Sequence, residues 1–128
     1  MPAPNEVWEC ILGPIPPKGA VVDVQTAPIV GHEQGNSRPV IVVATFPTHN
    51  IATVIPVTNG ADDIASSATV VPIGPVTLSP NGQVNGKALI HQIRSVSYDR
   101  LDSRRGRIVD NVLLARLRNA LRVYLKIS

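Results

Sequence analysis

The sequence predicts a mainly β (α+β) domain, a small twisted antiparallel sheet or barrel followed by one amphipathic helix. Several short runs rich in β-branched residues lie between residues 20 and 96, and glycine, proline or asparagine bounds most of them, as is typical of strands. From Asp110 onward apolar residues recur every three or four positions, the period of a helix with one buried face. A chain of 128 residues suits one domain, since domains cluster at about 100–150 residues.

The pattern predicts short strands joined by turns. Residues 39–46 and 51–58 form a hairpin, because the Pro-Thr-His-Asn sequence between them is typical of a turn. Residues 59–67 are small and polar and predict a mobile loop, whereas residues 102–106 predict a charged turn. The predicted strands are residues 6–12, at an edge of the sheet, and residues 20–26, 39–46, 51–58, 69–73 and 87–96.

We predict one domain over residues 1–128, with three parts. Residues 1–18 are a Pro-rich N-terminal extension, and its apolar side chains favour an arm packed on the sheet over a disordered leader. Residues 19–109 form the β-barrel. Residues 110–127 form the C-terminal helix, with Asp110 as its N-cap.

The formal charge of the chain is unevenly distributed. The net charge is +3, but nine of the twelve Lys and Arg residues and only three acids lie from Arg94 onward, so this segment carries +6. A basic segment attracts a polyanion or an acidic protein segment, or it forms a solvated surface. The chain has only four aromatic residues for base stacking, one Trp, one Phe and two Tyr. Contacts with a nucleic acid would therefore depend on charge and hydrogen bonds.

The cysteine and histidine positions favour a cytoplasmic protein with no metal or cofactor. Cys10 is the single cysteine, so no intrachain disulfide forms. His32, His49 and His91 lack the spacing of zinc ligands. The first nine residues have no basic side chain, which a signal peptide needs, and no apolar run approaches the roughly 20 residues of a transmembrane helix.

The stretch from residue 31 to residue 43 carries the strongest functional signal. A polar, Gly-containing loop with one carboxylate, Glu33, and one guanidinium, Arg38, is followed at once by a run of β-branched residues. Pro39 is tolerated at the first position of a strand. Arg38 is therefore expected at the rim of a sheet, where a rigid scaffold presents it to a ligand. Alternatively, Glu33 and Arg38 form an ion pair within the loop.

This stretch resembles the signature of the MazF/PemK ribonuclease toxins, in which a Glu-Gln-Gly…Arg-Pro loop joins the first strand pair. The similarity runs from about residue 17 to residue 125. Residues 53–58 resemble a second motif, which ends in threonine, and residues 89–96 resemble a third, usually written Asp-Gln-Ile-Arg-Thr-Ile. Residues 100–106 and the helix after them resemble the family's C-terminal part.

The resemblance implies a CcdB/PemK-like fold with an SH3-like barrel. It implies a sequence-specific, metal-independent endoribonuclease toxin of a toxin–antitoxin pair, which inhibits growth. Such an enzyme cleaves single-stranded RNA through its 2′-hydroxyl and leaves 2′,3′-cyclic phosphate and 5′-hydroxyl ends. In this family the residues matching Arg38 and Thr58 act on the scissile phosphate, and Glu33 is a candidate base or an orienter of Arg38. The residues expected to bind RNA are His32, Gln34, Asn36, Asn59, Gln92 and Arg94.

Two positions depart from the family pattern. His91 stands where an aspartate is common, and Asp23 stands where a large apolar or aromatic residue is common. We hypothesise that His91 replaces the carboxylate as acid or base, since imidazole serves both roles. The alternative is that His91 is a spacer whose catalytic role is lost or reassigned. Thr58 likewise has an alternative role as a turn-forming residue at the end of its strand.

The resemblance also implies partners. Family members work as two-fold homodimers with RNA across the interface, and an antitoxin with an acidic, disordered tail blocks the same basic groove. One alternative is a gyrase poison of the CcdB type, whose terminal Trp-Gly-Ile is replaced here by Lys126-Ile127-Ser128. Another is a non-catalytic RNA- or protein-binding module on the same fold.

Overall fold

The computed structural model describes residues 1–12, 37–58 and 69–126. It confirms the predicted mainly antiparallel sheet with one C-terminal helix, α1 (Asn111–Leu125). Within these residues the sheet has nine strands. They are β1 (Glu6–Ile11), β2 (Ser37–Phe46), β3 (Ile51–Thr58), β4 (Val70–Pro72), β5 (Val76–Ser79), β6 (Gln83–Val84), β7 (Lys87–Leu89), β8 (Arg94–Ser97) and β9 (Leu101–Ile108).

The strands form one strongly curved path that does not close into a complete barrel. The order across the sheet is β4-β7-β3-β2-β1-β9-β5-β6, with β8 also paired to β3, and every pair in the described part of the chain is antiparallel. β3 pairs with β2 along one side. Along its other side, β3 pairs first with β8 and then with β7.

Both faces of the central strands are buried, which explains their continuous apolar runs. Alternate residues of β2 and β3 enter two different clusters: Ile41 and Ile55 enter the helix-side core, and Val40 and Val54 the far-side core. The helix-side core also includes residues of β4 to β7 and of α1. The far-side core comprises Cys10, Val40, Val42, Ala52, Val54, Val96 and Leu101, with Trp8, Leu12 and Tyr98 packed against it.

The helix begins and packs as its sequence predicts. The Asp110 carboxylate accepts hydrogen bonds from the amides of Val112 (3.0 Å) and Leu113 (3.2 Å), so Asp110 is the N-cap. Leu113, Leu117 and Ala120 are buried on one face of α1, in the helix-side core. The apolar stripe therefore holds α1 against the sheet and leaves the opposite side of the sheet to other elements.

The β2–β3 hairpin is confirmed where the sequence predicts it. A short 3-10 turn at Pro47–His49 joins the two strands, and Asn50 follows in the left-handed region at φ 54°. Asparagine tolerates this conformation better than most residues. The predicted strand at residues 20–26 and the predicted loop at residues 59–67 lie outside the described residues.

The first strand is not at an edge, contrary to prediction. β1 lies between β2 and β9 and is hydrogen-bonded on both sides, with Cys10 opposite Arg38 on one side and opposite Leu101 on the other. The nearby prolines suggested an edge position because proline cannot donate to a ladder. They follow the last residue of the strand, Ile11, so they leave its ladders intact.

The predicted charged turn at residues 102–106 is wrong, because these residues lie within β9. Arg104 Nε lies 2.7 Å from Glu6 Oε2, and Arg105 Nη1 lies 3.3 Å from Glu9 Oε2. The carboxylates of β1 thus pair with arginines of its neighbour β9. The polar segment 102–106 forms a strand because its arginines make ion pairs with carboxylates on the neighbouring strand.

The predicted strand at residues 87–96 is interrupted. A 3-10 turn at Ile90–Gln92 separates β7 from β8, and Ile90 is buried in the helix-side core. The strands β5 and β6 were not predicted, because the sequence around them is rich in glycine and proline. Their tight turn approaches β9 at Gly106, where an added Cβ would lie 2.7 Å from Leu78 Cβ, so glycine permits this contact.

A buried carboxylate ties the N-terminal segment to β9. Glu6 Oε1 accepts hydrogen bonds from the Ala3 amide (2.8 Å) and from Trp8 Nε1 (3.0 Å), while Oε2 accepts one from Arg104 Nε (2.7 Å). Burial raises the pKa of Glu6, but these hydrogen bonds and the Arg104 charge outweigh it, so the pKa lies below its usual 4.5. The ionised form is therefore the one that stabilises the fold.

We expect Glu6→Gln to lower the free energy of unfolding by about 1–3 kcal/mol at neutral pH, since it weakens a buried, charge-assisted network. Because the folded-state pKa is depressed, the stabilisation is present above the usual value of 4.5, which applies to the unfolded chain. This stabilisation is lost as the pH falls through the folded-state pKa. The difference in free energy of unfolding between wild type and Glu6→Gln should therefore become smaller in acid. Urea unfolding of both proteins at several pH values measures this difference.

Glu9→Gln is the matched control for this prediction. The Glu9–Arg105 pair is partly exposed, with side-chain exposures of 30% and 35%, so its loss should cost less than about 1 kcal/mol. A Glu6→Gln effect no larger than that of Glu9→Gln, or one that grew as the pH fell, would contradict the assignment.

Candidate nucleic-acid interface

Arg38 and Thr58 lie at one end of the β2–β3 hairpin. Val40 opposite Pro56 is the last pair of this ladder toward that end, and Arg38 and Thr58 each lie two residues beyond it on their own strands. Since side chains alternate along a strand, both residues face the side of the far-side core. The sheet therefore places two of the sequence-predicted site residues at the same end of the hairpin.

The environment of Arg38 suits an anionic ligand. The side chain is exposed, and within the described ranges no hydrogen bond or ion pair joins its guanidinium to another residue. Thr58, across the strand pair, is half-buried and ends β3. A guanidinium and a hydroxyl side by side can both donate hydrogen bonds to one phosphate.

Lys87 is a basic residue at this rim that the sequence analysis did not single out. It lies opposite Thr58 in the β3–β7 pair, on the other side of Thr58 from Arg38. Its side chain is half-buried. The pairing of β3 with β7 joins residues far apart in the chain, so no local pattern could have placed Lys87 beside Thr58.

Two more arginines lie near the end of β1. Burial raises the pKa of the Cys10 thiol to about 11, although Arg94 and Arg100 nearby act to lower it. Arg100 Nη1 donates a hydrogen bond to the Ile11 carbonyl at 3.1 Å. Arg94 was predicted to bind RNA and is exposed at the start of β8, whereas Arg100 was not singled out as a site residue.

His91 and Gln92 lie on the 3-10 turn between β7 and β8. Both side chains are exposed, and the His91 carbonyl accepts a hydrogen bond from Tyr124 Oη of α1 at 3.3 Å. This bond holds the turn beside the end of the helix. Among the described residues, no hydrogen bond or ion pair joins the His91 side chain to Arg38 or Thr58.

The remaining predicted site residues fall outside the described part of the chain. They are the catalytic candidate Glu33 and the RNA-binding candidates His32, Gln34, Asn36 and Asn59.

The basic C-terminal segment does not form one patch. Arg104 and Arg105 pair with the acids of β1, and Arg116 donates a hydrogen bond to the Pro72 carbonyl at 3.2 Å. Arg118 borders an apolar groove of about 250 Å³ between α1, the N-terminal turn and the strands β2 and β3. This groove lies on the helix side of the sheet, whereas Arg38 and Thr58 face the other side. Arg94 and Arg100 lie close enough to Cys10, the register partner of Arg38, to affect the pKa of its thiol.

Neither a metal centre nor a membrane helix is found in the described residues. No group of three or more His, Cys, Asp or Glu side chains in these ranges could hold a metal ion. No helix there is both long and apolar enough to span a bilayer.

Comparison with known families decides the identity of the chain. The model of the PemK-like, MazF-like toxins of type II toxin–antitoxin systems matches residues 17–125. The chain belongs to this family. The match covers most of the chain and confirms the resemblance seen in its motifs. In this toxin the motif residues Arg38 and Thr58 lie at the same end of the β2–β3 hairpin.

Solved structures share the fold of this toxin at low sequence identity. An endoribonuclease from a mycobacterial species, in complex with its cognate antitoxin, has a TM-score of 0.66 at 15% identity over 100% of this chain and 98% of that chain. MazF from Deinococcus radiodurans has a TM-score of 0.63 at 19% identity, over 98% and 97% of the two chains. The MazE–MazF complex of the same organism has a TM-score of 0.57 at 20% identity, over 99% of this chain and 97% of that chain. No curated protein sequence matches the chain.

We expect the Cys10 thiol to be unreactive in the native protein. It is fully buried and its pKa is raised to about 11, so little thiolate exists at pH 8. A disulfide reagent such as Ellman's should react slowly with native protein and rapidly in guanidinium chloride, as measured by absorbance. Fast reaction of the native protein, with unchanged circular dichroism, would contradict the buried position of β1.

Proposed function

We propose that this toxin is an endoribonuclease that cleaves single-stranded RNA at specific sequences, by attack of the 2′-hydroxyl and with no metal ion. The observation that carries the proposal is the position of Arg38 and Thr58 at the same end of the hairpin, with the Arg38 side chain exposed. Membership of the toxin family supports it. Solved structures of the same fold named as endoribonucleases support it further.

The proposed chemistry has three requirements. A base removes the 2′-hydroxyl proton, a positive group stabilises the phosphorane, and an acid protonates the leaving 5′-oxygen. The Arg38 guanidinium carries a permanent charge and a fork of donors that matches phosphate oxygens. The Thr58 hydroxyl donates to the same phosphate. A donor aimed at developing charge contributes about 3–4 kcal/mol to transition-state stabilisation.

Glu33 and His91 are the proposed proton-transfer groups. Glu33 lies five positions before Arg38 in the chain, and it acts as a base or orients the guanidinium. Imidazole is the side chain most often used for proton transfer. The exposed position of His91 leaves its ring accessible to substrate. His32, Gln34, Asn36, Asn59, Gln92 and Arg94 are proposed to contact the RNA.

The proposed partners are an antitoxin and a second copy of the toxin. We propose that an acidic, disordered antitoxin tail folds over the cations around Arg38 and blocks RNA binding. A solved structure of the same fold, an endoribonuclease in complex with its cognate antitoxin, supports such a partner. The proposed compartment is the cytoplasm, in keeping with one buried thiol.

The location of His91 favours a second candidate function. Its carbonyl accepts a hydrogen bond from Tyr124 of α1, and no hydrogen bond or ion pair links its side chain to Arg38 within the described chain. A protein that kept the phosphate site and lost its proton-transfer group would bind RNA without turnover. Such a module would show a steep dependence of affinity on salt and no cleavage products.

The first experiment compares wild type with Arg38→Ala on a long RNA of mixed sequence in EDTA, with the fragment ends mapped. We expect discrete cuts with 5′-hydroxyl ends from wild type, and a loss of about 10²–10³-fold in rate for Arg38→Ala and for Thr58→Ala. DNA of the same sequence should bind and stay intact, because it lacks the 2′-hydroxyl.

Arg107→Ala is the matched control for this experiment. Arg107 is exposed on β9, at the end where β9 pairs with Glu6 and Ser79. Its loss removes the same charge at the other end of the strand and should leave the rate unchanged. Intact RNA after incubation with folded wild type would overturn the nuclease and favour the binding module.

His91→Ala tests the proposed proton-transfer role. We expect a large loss of rate and a changed pH–rate profile, since the acid or base limb that depends on the imidazole disappears. His49→Ala is the control, because His49 is an exposed histidine in the turn at the opposite end of the hairpin. Cleavage by His91→Ala that matched wild type at every pH would exclude the role.

A further inference from the structure

Arginines flank the end of β1 on both sides: Arg38 lies on β2, and Arg100 ends the 3-10 turn that precedes β9. Cys10 is the register partner of Arg38 on β2 and of Leu101 on β9. Arg100, immediately before Leu101, reaches the next residue of β1 and donates a hydrogen bond from Nη1 to the Ile11 carbonyl at 3.1 Å. Since adjacent strands are about 4.8 Å apart, the backbones of Arg38 and Arg100 are roughly 10 Å apart across one strand.

Among the described residues, two arginines contribute positive charge near this strand end. Arg94 and Arg100 both lie close enough to lower the pKa of the buried Cys10 thiol, against the effect of burial. Glu9 is the nearby acid, and its carboxylate is paired with Arg105 at 3.3 Å. Within the described ranges neither Arg38 nor Arg94 is joined to a carboxylate.

The hydrogen bond to Ile11 holds the Arg100 side chain in place. An arginine side chain loses rotamer freedom when it is immobilised. A guanidinium already held at the strand end loses less of this freedom when it binds an anion. Arg100 is therefore better prepared to bind a phosphate than a mobile surface arginine such as Arg107, which is exposed.

We propose that the RNA backbone crosses the end of β1, from Arg38 on one side to Arg100 on the other, and that Arg100 binds a phosphate next to the scissile one. The inference rests on the proposed function, because it assumes that RNA binds at Arg38. It adds a phosphate-binding residue and a direction for the strand of RNA. Phosphate binding of this kind sets register and affinity and carries no base specificity.

The dependence of affinity on salt measures how many phosphates the protein neutralises. For single-stranded RNA, each phosphate that is no longer neutralised makes the slope of log affinity against log salt shallower by about 0.7. The probe is a single-stranded RNA of mixed sequence with fluorine at every 2′ position, which is not cut. Fluorescence anisotropy between about 50 and 200 mM salt gives the slope for wild type, Arg100→Gln and the control Arg107→Gln.

We expect Arg100→Gln to bind more weakly with a slope shallower by about 0.7, and Arg107→Gln to match wild type. Weaker binding with an unchanged slope would show that Arg100 only positions the end of β1, and would overturn the proposal. Unchanged affinity would also overturn it. Failure of wild type to bind the probe would instead contradict the proposed function, so the two failures are distinguishable.

A second measurement uses wild-type protein and does not depend on how Arg100→Gln folds. Phenylglyoxal modifies guanidinium groups, and mass spectrometry locates the modified arginines. The bound probe should slow modification of Arg38, Arg94 and Arg100 and leave Arg107 unchanged. Protection of Arg38 without protection of Arg100 would overturn the proposed path.

Discussion

The pairing of β1 on both of its sides is the constraint on which the rest of this structure depends. At its beginning, the buried Glu6 carboxylate binds Trp8 and Arg104, which locks β1 to β9. At its other end, Cys10 lies between Arg38 and Leu101. The same strand therefore supplies the stability of the sheet and sets the spacing of the arginines around the candidate site. Without β1, β2 and β9 would have no common neighbour, and their cations would have no fixed relation.

The sheet also sorts the charges of the chain by what they can do. Arginines whose strand neighbours carry carboxylates, Arg104 and Arg105, form ion pairs and stabilise the fold. Arg118 of α1 lies on the helix side, beside an apolar groove. Arg38 and Arg94 have no such carboxylate within the described residues, so their charge is available to a polyanion. A net charge of +3 thus gives no measure of the potential at the site.

Local patterns predicted well those elements whose structure is decided locally. Strands β2 and β3, the turn between them and the Asp110-capped helix each have a clear period and a clear boundary signal. The failures share a different cause. The 102–106 segment became part of β9 because Glu6 and Glu9 lie across from it, and the 87–96 segment broke at Ile90 because that side chain is buried in the helix-side core. These partners are distant in sequence, so no short segment of the chain contains the residues that decide the structure of residues 87–96 and 102–106.

The sequence by itself determined the family and the mainly β class, and it singled out Arg38 and Thr58 as candidate site residues, because motifs and hydrophobic periods can be recognised along the chain. Only the tertiary structure decided that β1 is a central strand, that Lys87 lies opposite Thr58, and that Arg100 reaches the end of β1. The physical reason is that the hydrogen bonds and ion pairs across a curved sheet join residues far apart in the chain. The geometry of these hydrogen bonds and ion pairs depends on which strands pair. The pairing in turn depends on the burial of apolar side chains on both faces of the sheet.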